Sequence, residues 1–287
     1  KNVFNKNEIN SLRKILSNHF KNNQTNVNFL SKTSKFFLVK MLQPLASVHI
    51  PSLWWIYYHP KVVEIVKIIL GDSCVYTNVS DAQIANKGGW HKDDGTTRAN
   101  THIKGYFQFD KEKNVKCDGK KPYELDDCKV YKVALYLQDH TKNSCGLFVR
   151  PGSHKTDFES SNQPIKYLKT RVGDIVIFDV RINHSGRLDP IPLNWNSSNI
   201  WFKDFMQYLI RIPKLGRYIN DILTGLADIL LGKKYSLFWV YGADNEWTYN
   251  FTKSMTRGMK EQVRNENDRL PDVVKNPLIK AGIKTYN

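Results

Sequence analysis

The stretch GGWHKDDGT, residues 88–96, sets a histidine and an aspartate two positions apart, His91 and Asp93. In an extended strand such residues project to the same side, so one imidazole and one carboxylate can reach the same ion. Asp94 would then point the other way. A third donor must come from elsewhere. The segment GDIVIFDVRINHSG, residues 173–186, begins with a turn and reads as a strand running into His184. Two imidazoles and a carboxylate suit non-haem Fe(II), because they hold one face of an octahedron and leave three positions open. H-x-D alone is common, and it fits equally well two polar residues beside a Gly-Gly turn.

The elements around these residues narrow the reading. Residues 6–21 have Ile9, Leu12, Ile15, Leu16 and Phe20 on one helical face. PSLWWIYYHPKVVEIVKIIL, 51–70, reads as two short helices divided at Pro60, with Gly71 as the stop. The texture then changes to β-branched and aromatic runs bounded by Gly, Pro, Asn and Asp, at 74–80, 102–109, 130–138, 146–153, 173–180 and 234–242. No strand–helix alternation runs through them, which favours an antiparallel barrel or jelly roll over a parallel α/β sheet. Residues 199–231 interrupt the β region with two apolar helical faces broken near Pro213.

The 287 residues, 41% of them hydrophobic, are enough for one large β-rich domain with added helices. The Lys/Asn-rich start and end are the candidates for loose segments. The formal net charge is +16, but lysine is spread along the whole chain and no nucleic-acid signature accompanies it. Specific nucleic-acid binding is therefore not expected, whereas an anionic organic substrate fits the charge. The four cysteines form no C-x-x-C pair and read as reduced thiols of a cytosolic protein, with a Cys117–Cys128 bridge left open. No run of about 20 apolar residues is present to span a membrane.

In its order of segments the chain resembles the phytanoyl-CoA dioxygenase family of Fe(II)/2-oxoglutarate oxygenases. HPKVVEIVKIILGD (59–72) is similar to the helix before the barrel, and GWHKDDG (89–95) to the H-x-D segment. VALYLQDHTKNSCGLFVRPGSHK (133–155) resembles the strand, turn and Pro-Gly-Ser-His loop. GDIVIFDVRINHSG resembles the distal-histidine strand, and KYSLFWVYG (234–242) the strand after it. The likeness covers roughly residues 50–250.

The resemblance implies a mainly β fold with flanking helices: a double-stranded β-helix, cupin-like jelly roll at 72–250, a helical part at 1–71, a helical insertion at 190–232 and a tail at 251–287. It implies that His91, Asp93 and His184 bind Fe(II), with 2-oxoglutarate and O2 as co-substrates, succinate and CO2 as products, and a C–H bond hydroxylated. Halogenating relatives lack the carboxylate, so Asp93 favours hydroxylation. The family usually holds the far carboxylate of 2-oxoglutarate with an arginine roughly ten residues after the distal histidine. Here Arg187 follows too soon, and Lys234 stands where the arginine normally would. Lys234 is thus expected to bind the co-substrate, with Arg187 or Arg211 as alternatives. Gln83 matches a family position whose amide helps hold it.

The family serine after the distal histidine is replaced by Gly186, with Ser185 next to it. His154 and Arg150 belong to a loop that is structural in the family. Trp90 and Lys92 flank the ligands and are candidates for the substrate pocket, against a packed Trp90 and a solvated Lys92. The insertion, at 199–231, has three open roles: a wall of the substrate pocket, a dimer contact or a peripheral membrane contact. Two other function classes remain: a non-catalytic jelly-roll module with a vestigial metal site, and a nucleic-acid demethylase, whose motifs the chain does not resemble.

Overall fold

The structure, a computed structural model, describes residues 1–22, 40–43, 45–84, 90–94, 122–141, 146–156, 163–186, 233–258 and 269–286. Helix α1, Lys6–Asn22, buries Ile9, Leu12, Leu16 and Phe20. Its start is a capping arrangement: the Asn5 side chain accepts from the N–H groups of Asn7 and Glu8, and Glu8 accepts from the Asn5 N–H. Strand β1, Lys40–Leu42, follows, then α2 (Ala46–His49), a tight turn at Pro51–Leu53 and α3 (Trp54–Tyr57). Helix α4, Pro60–Leu70, opens on the proline and ends at Gly71, whose φ of 79° only glycine adopts easily.

The β region comprises β2 (Cys74–Ile84), β3 (Val130–Tyr136), β4 (Leu147–Val149), β5 (Lys166–Leu168), β6 (Ile175–Asp179), β7 (His184–Ser185) and β8 (Tyr235–Ala243). Helices α5, Glu246–Gly258, and α6, Asp272–Lys280, follow, and β9, Lys284–Thr285, closes the chain. The larger sheet runs β1-β2-β8-β3-β6, with β9 beside β2, and the smaller runs β5-β4-β7. Every pairing is antiparallel except β2 with β9. This is the mainly β, cupin-like jelly roll with flanking helices that the sequence led one to expect.

Alternation along β3 shows how both faces of the large sheet are used. Val133 and Leu135 pack outward with α1, α4 and α6 in the main core, while Ala134 and Tyr136 face inward against Leu147, Val149 and Phe178. On β8, Leu237, Trp239 and Tyr241 face the helices, and Phe238 faces the interior. Strand β2 takes four steps from Tyr76 to Ser80 where β8 takes two from Tyr241 to Trp239. The bulge centres on Asn78, at φ 56°. Its two extra residues are an even number, so the alternation survives and Asp81 and Gln83 stay on one face.

Several expectations need correction. The strand at 173–180 does not run into His184. It ends at Asp179, the chain turns, and His184 lies on β7 in the other sheet. The ends of the chain are not loose among the described residues. Val3 and Phe4 are buried, Val274 and Leu278 of α6 are fully enclosed, and β9 joins the large sheet. Apolar residues at helical spacing anchor both ends, which overrides their Lys/Asn-rich composition. Cys74 and Cys128 are free, buried thiols. The expected strand at 102–109, Cys117, Cys145, Arg187, Arg211 and the insertion at 190–232 lie outside the described residues. No described helix is long and apolar enough to cross a membrane.

Candidate metal centre

His91 and His184 meet through the backbone. Each donates its N–H to the other's carbonyl at 2.9 Å, which extends the small sheet by one residue beyond β7. Their rings lie on the same side with centroids 4.3 Å apart. The chain turns after His91, and the Asp93 N–H donates to the Val180 carbonyl at 2.8 Å. H-x-D is therefore a bridge residue followed by a turn, not two positions of one strand. Asp93 Oδ1 is 3.6 Å from His91 Nε2, and Oδ2 is 3.5 Å from His184 Nε2. One donor atom from each of the three residues lies within 4.8 Å of the others.

The protonation states suit a cation. His184 is 4% exposed. Burial, followed by the neighbouring His91, lowers its pKa to about 3, so the ring is neutral at ordinary pH. Its Nδ1 lies 2.9 Å from the Ile182 carbonyl. Nδ1 must therefore carry the proton, leaving the Nε2 lone pair for an ion. Burial alone would raise the Asp93 pKa, but the Lys132 ammonium, aided by a hydrogen bond from His91, outweighs it and holds the carboxylate well below its usual range. Asp93 Oδ2 is buried and pairs with the Lys132 ammonium, without a well-formed hydrogen bond. A neutral imidazole, a fixed carboxylate and a second imidazole that is partly open to solvent form a donor set that fits a divalent first-row metal.

Lys132 was not read from the sequence as part of the site. It is 8% exposed, and its Nζ sits 3.1 Å from Asp93 Oδ2, 3.2 Å from Asp81 Oδ2 and 5.0 Å from the Phe238 ring centre. The two carboxylates outweigh the cost of burying it and raise its pKa, so it stays charged.

Lys234 is buried just before β8. It donates to the carbonyls of Gly186 at 2.7 Å and Gly146 at 3.1 Å, and lies 4.8 Å from the Tyr136 ring centre. Gly186 is two residues beyond His184, so this cation adjoins the histidine strand. Gln83 donates its amide to Ser236 at 3.0 Å, across the β2–β8 pair. Past the end of β3 is His140, fully buried, with its ring 5.0 Å from that of Tyr136. Gln138 takes the Tyr235 N–H on its oxygen, so its amide nitrogen donates to His140 Nε2, and His140 Nδ1 donates to Thr170.

The residues that flank His91 contact the Pro-Gly-Ser-His loop. Lys92 is not solvated: it is buried and donates to the carbonyls of Ser153 at 2.7 Å and Thr156 at 2.5 Å. Trp90 packs under the Arg150 guanidinium, 4.9 Å from its ring centre. These contacts tie both residues to the segment 150–156. Ser153 Oγ accepts from the Asn183 N–H at 2.8 Å. The Pro-Gly-Ser-His loop thus braces both ligand-bearing segments, one through Lys92 and the other through Asn183. His154 lies in that loop and is not one of the grouped donors. Asp94 is buried, and its charge helps stabilise the Arg181 guanidinium.

No protein-family model matches the sequence, and no curated protein matches it. Solved structures do match in fold. EctD from S. alaskensis in its apoform has a TM-score of 0.51 at 13% identity, over 85% of this chain and 71% of that one. SnoK from nogalamycin biosynthesis, a non-heme alpha ketoglutarate dependent carbocyclase, has a TM-score of 0.50 at 13% identity, over 84% of this chain and 76% of that one. At such identity the likeness is one of fold, and it places the chain among jelly rolls of this architecture.

Proposed function

We propose that the protein is an Fe(II)- and 2-oxoglutarate-dependent oxygenase, of the kind its phytanoyl-CoA dioxygenase-like motifs imply, and that it hydroxylates a small or medium organic substrate. The observation that carries the reading is the meeting of His91, Asp93 and His184, with His184 kept neutral and Asp93 kept ionised. SnoK, which shares the fold, is described as alpha ketoglutarate dependent, which supports the same co-substrate here.

Bound iron would supply oxidising power, drawn from O2 and the decarboxylation of 2-oxoglutarate. The chain's own residues do the rest. The three donors leave open the positions that a chelating keto acid and O2 need. Lys234 supplies a buried positive charge for the far carboxylate, as a point charge rather than a planar fork. Gln83 and Ser236 supply polar groups on the same wall. The buried charges Asp81, Asp93, Lys132 and Lys234 cancel, and a divalent ion together with a dianionic keto acid adds no net charge. That balance favours joint binding over binding of either alone. Asp93 as the third ligand supports hydroxylation over halogenation. The basic chain supports an anionic substrate, such as a phosphorylated or coenzyme-A-linked one.

Anaerobic titration with Fe(II) and 2-oxoglutarate tests the reading. A metal-to-ligand charge-transfer band, and succinate formed on admitting air, are the expected results. Absence of both would leave a non-catalytic jelly-roll module as the better description.

A further inference from the structure

Asp81 and Lys132 form a buried pair that the proposed chemistry does not require, on the wall directly behind a metal-ligand carboxylate. Lys132 Nζ bridges the two aspartates at 3.1 and 3.2 Å and is backed by Phe238. Burying three charges costs several kcal/mol before pairing. A fold that needed only packing here would be served as well by apolar side chains. The arrangement is also directional. Lys132 lies inward on β3, Asp81 lies inward on β2, and β8 runs between these two strands. Asp93, by contrast, sits in a turn, where its N–H donates to the Val180 carbonyl. Of the side chains paired with its carboxylate, Lys132 comes nearest, at 3.1 Å against 3.5 Å for His184 and 3.6 Å for His91.

We infer that Lys132, anchored by Asp81, is a positioning residue. It holds Asp93 Oδ2 from behind and thereby fixes the carboxylate as a single-oxygen ligand to the ion. A carboxylate with one oxygen engaged by an ammonium presents the other at a set angle and does not spread over two metal positions. Those positions stay open for the keto acid and O2. Charge-assisted pairing of this kind orients ligands in other metal sites, and its removal there changes metal affinity by about 10–100-fold. This inference rests on the metal-site reading above.

The test separates orientation from charge. Lys132→Met alone leaves two buried carboxylates unbalanced and is prone to unfolding. The double variant Asp81→Asn/Lys132→Met removes one charge of each sign, so the net charge of the site stays the same. Co(II) serves as the probe, because its visible bands report ligand number and geometry. In the double variant we expect a melting temperature near that of the parent, Co(II) binding weaker by at least about tenfold, and altered bands. A parent-like Co(II) affinity and spectrum in the folded double variant would overturn the inference. Should that variant fail to fold, Lys132→Arg keeps the charge and changes the donor geometry. Altered bands then support the inference, and unchanged bands overturn it. If the parent itself binds no Co(II), the functional reading fails instead.

Discussion

His91 and His184 form a hydrogen-bonded antiparallel pair, each giving its backbone N–H to the other's carbonyl. The bonds that align the two rings do not involve the rings. Removing a ring should therefore unmake the metal site without unmaking the fold. His91 is the better position to change, because its side chain is 40% exposed and its truncation leaves little cavity. His91→Ala is expected to melt within a few degrees of the parent. Its Ni(II) affinity should fall by more than about 100-fold, beyond the usual effect of an outer-shell change. Isothermal titration measures this, and unchanged Ni(II) binding would remove His91 from the site.

Lys234 lies on the approach to β8 with its ammonium turned to the Gly186 carbonyl. If it meets the far carboxylate of 2-oxoglutarate, Lys234→Met should leave Ni(II) binding alone nearly unchanged and weaken keto-acid binding. Removing one partner of a buried charge pair costs about 2–5 kcal/mol, which is about 30-fold or more in affinity. The concentration of 2-oxoglutarate giving half-maximal succinate formation reads this directly. The same loss in Arg187→Ala, with Lys234→Met silent, would assign the role to the arginine.

The grouping of His91, Asp93 and His184 and the mainly β fold were legible in the sequence, through β-branched runs and through the order of segments that resembles a known family. Lys132 was not, for a physical reason. In VYKVALY it shares a parity with Ala134 and Tyr136, opposite Val133 and Leu135. For an open sheet with one wet face, that pattern places lysine in water. Here the second sheet covers the other face, so both parities are buried and the odd charge becomes an internal one. Lys92 misleads in the same way: it sits between His91 and Asp93 in a polar stretch, yet accepting backbone carbonyls come from a loop distant in sequence. His184 lies beside His91 and Asp93, but on a different strand from the one the sequence suggested. Nothing in VRINHSG marks the turn that carries the chain from one sheet to the other.

Gly173 ties the N-terminal arm to the barrel. Its carbonyl accepts from the N–H groups of Val3 and Phe4, its φ is +87°, and a Cβ there would lie 2.1 Å from the Phe4 carbonyl oxygen. Gly152 has the same kind of φ, +86°, but open space, with its nearest neighbour at 3.9 Å. Gly152→Ala should cost only the left-handed penalty, about 1–2 kcal/mol. Gly173→Ala should cost clearly more, because the Phe4 backbone must move away. Urea midpoints of the two variants measure the difference, and equal losses would mean that the arm is not held where it is seen.

His140 offers a pH test that does not involve the proposed metal ligands. Burial, with Lys234 nearby, lowers its pKa to about 3, against 6.5 for the free group. The folded protein therefore keeps His140 neutral where the unfolded chain would protonate it. Stability contributed this way is intact above about pH 6.5, declines as pH falls toward 3, and falls no further below that. The slope for one such histidine is at most about 1.4 kcal/mol per pH unit. His184 has the same sign and adds to it in the metal-free protein. His140→Asn retains a donor for Thr170 but cannot titrate. Its stability between pH 6 and 4.5 should fall less steeply than the parent's, by up to about 1.4 kcal/mol per unit. The carboxylates act alike in both proteins and cancel in the comparison. Denaturant melts at several pH values give both slopes. Parallel slopes would mean that His140 is protonated, or exposed, in the folded protein.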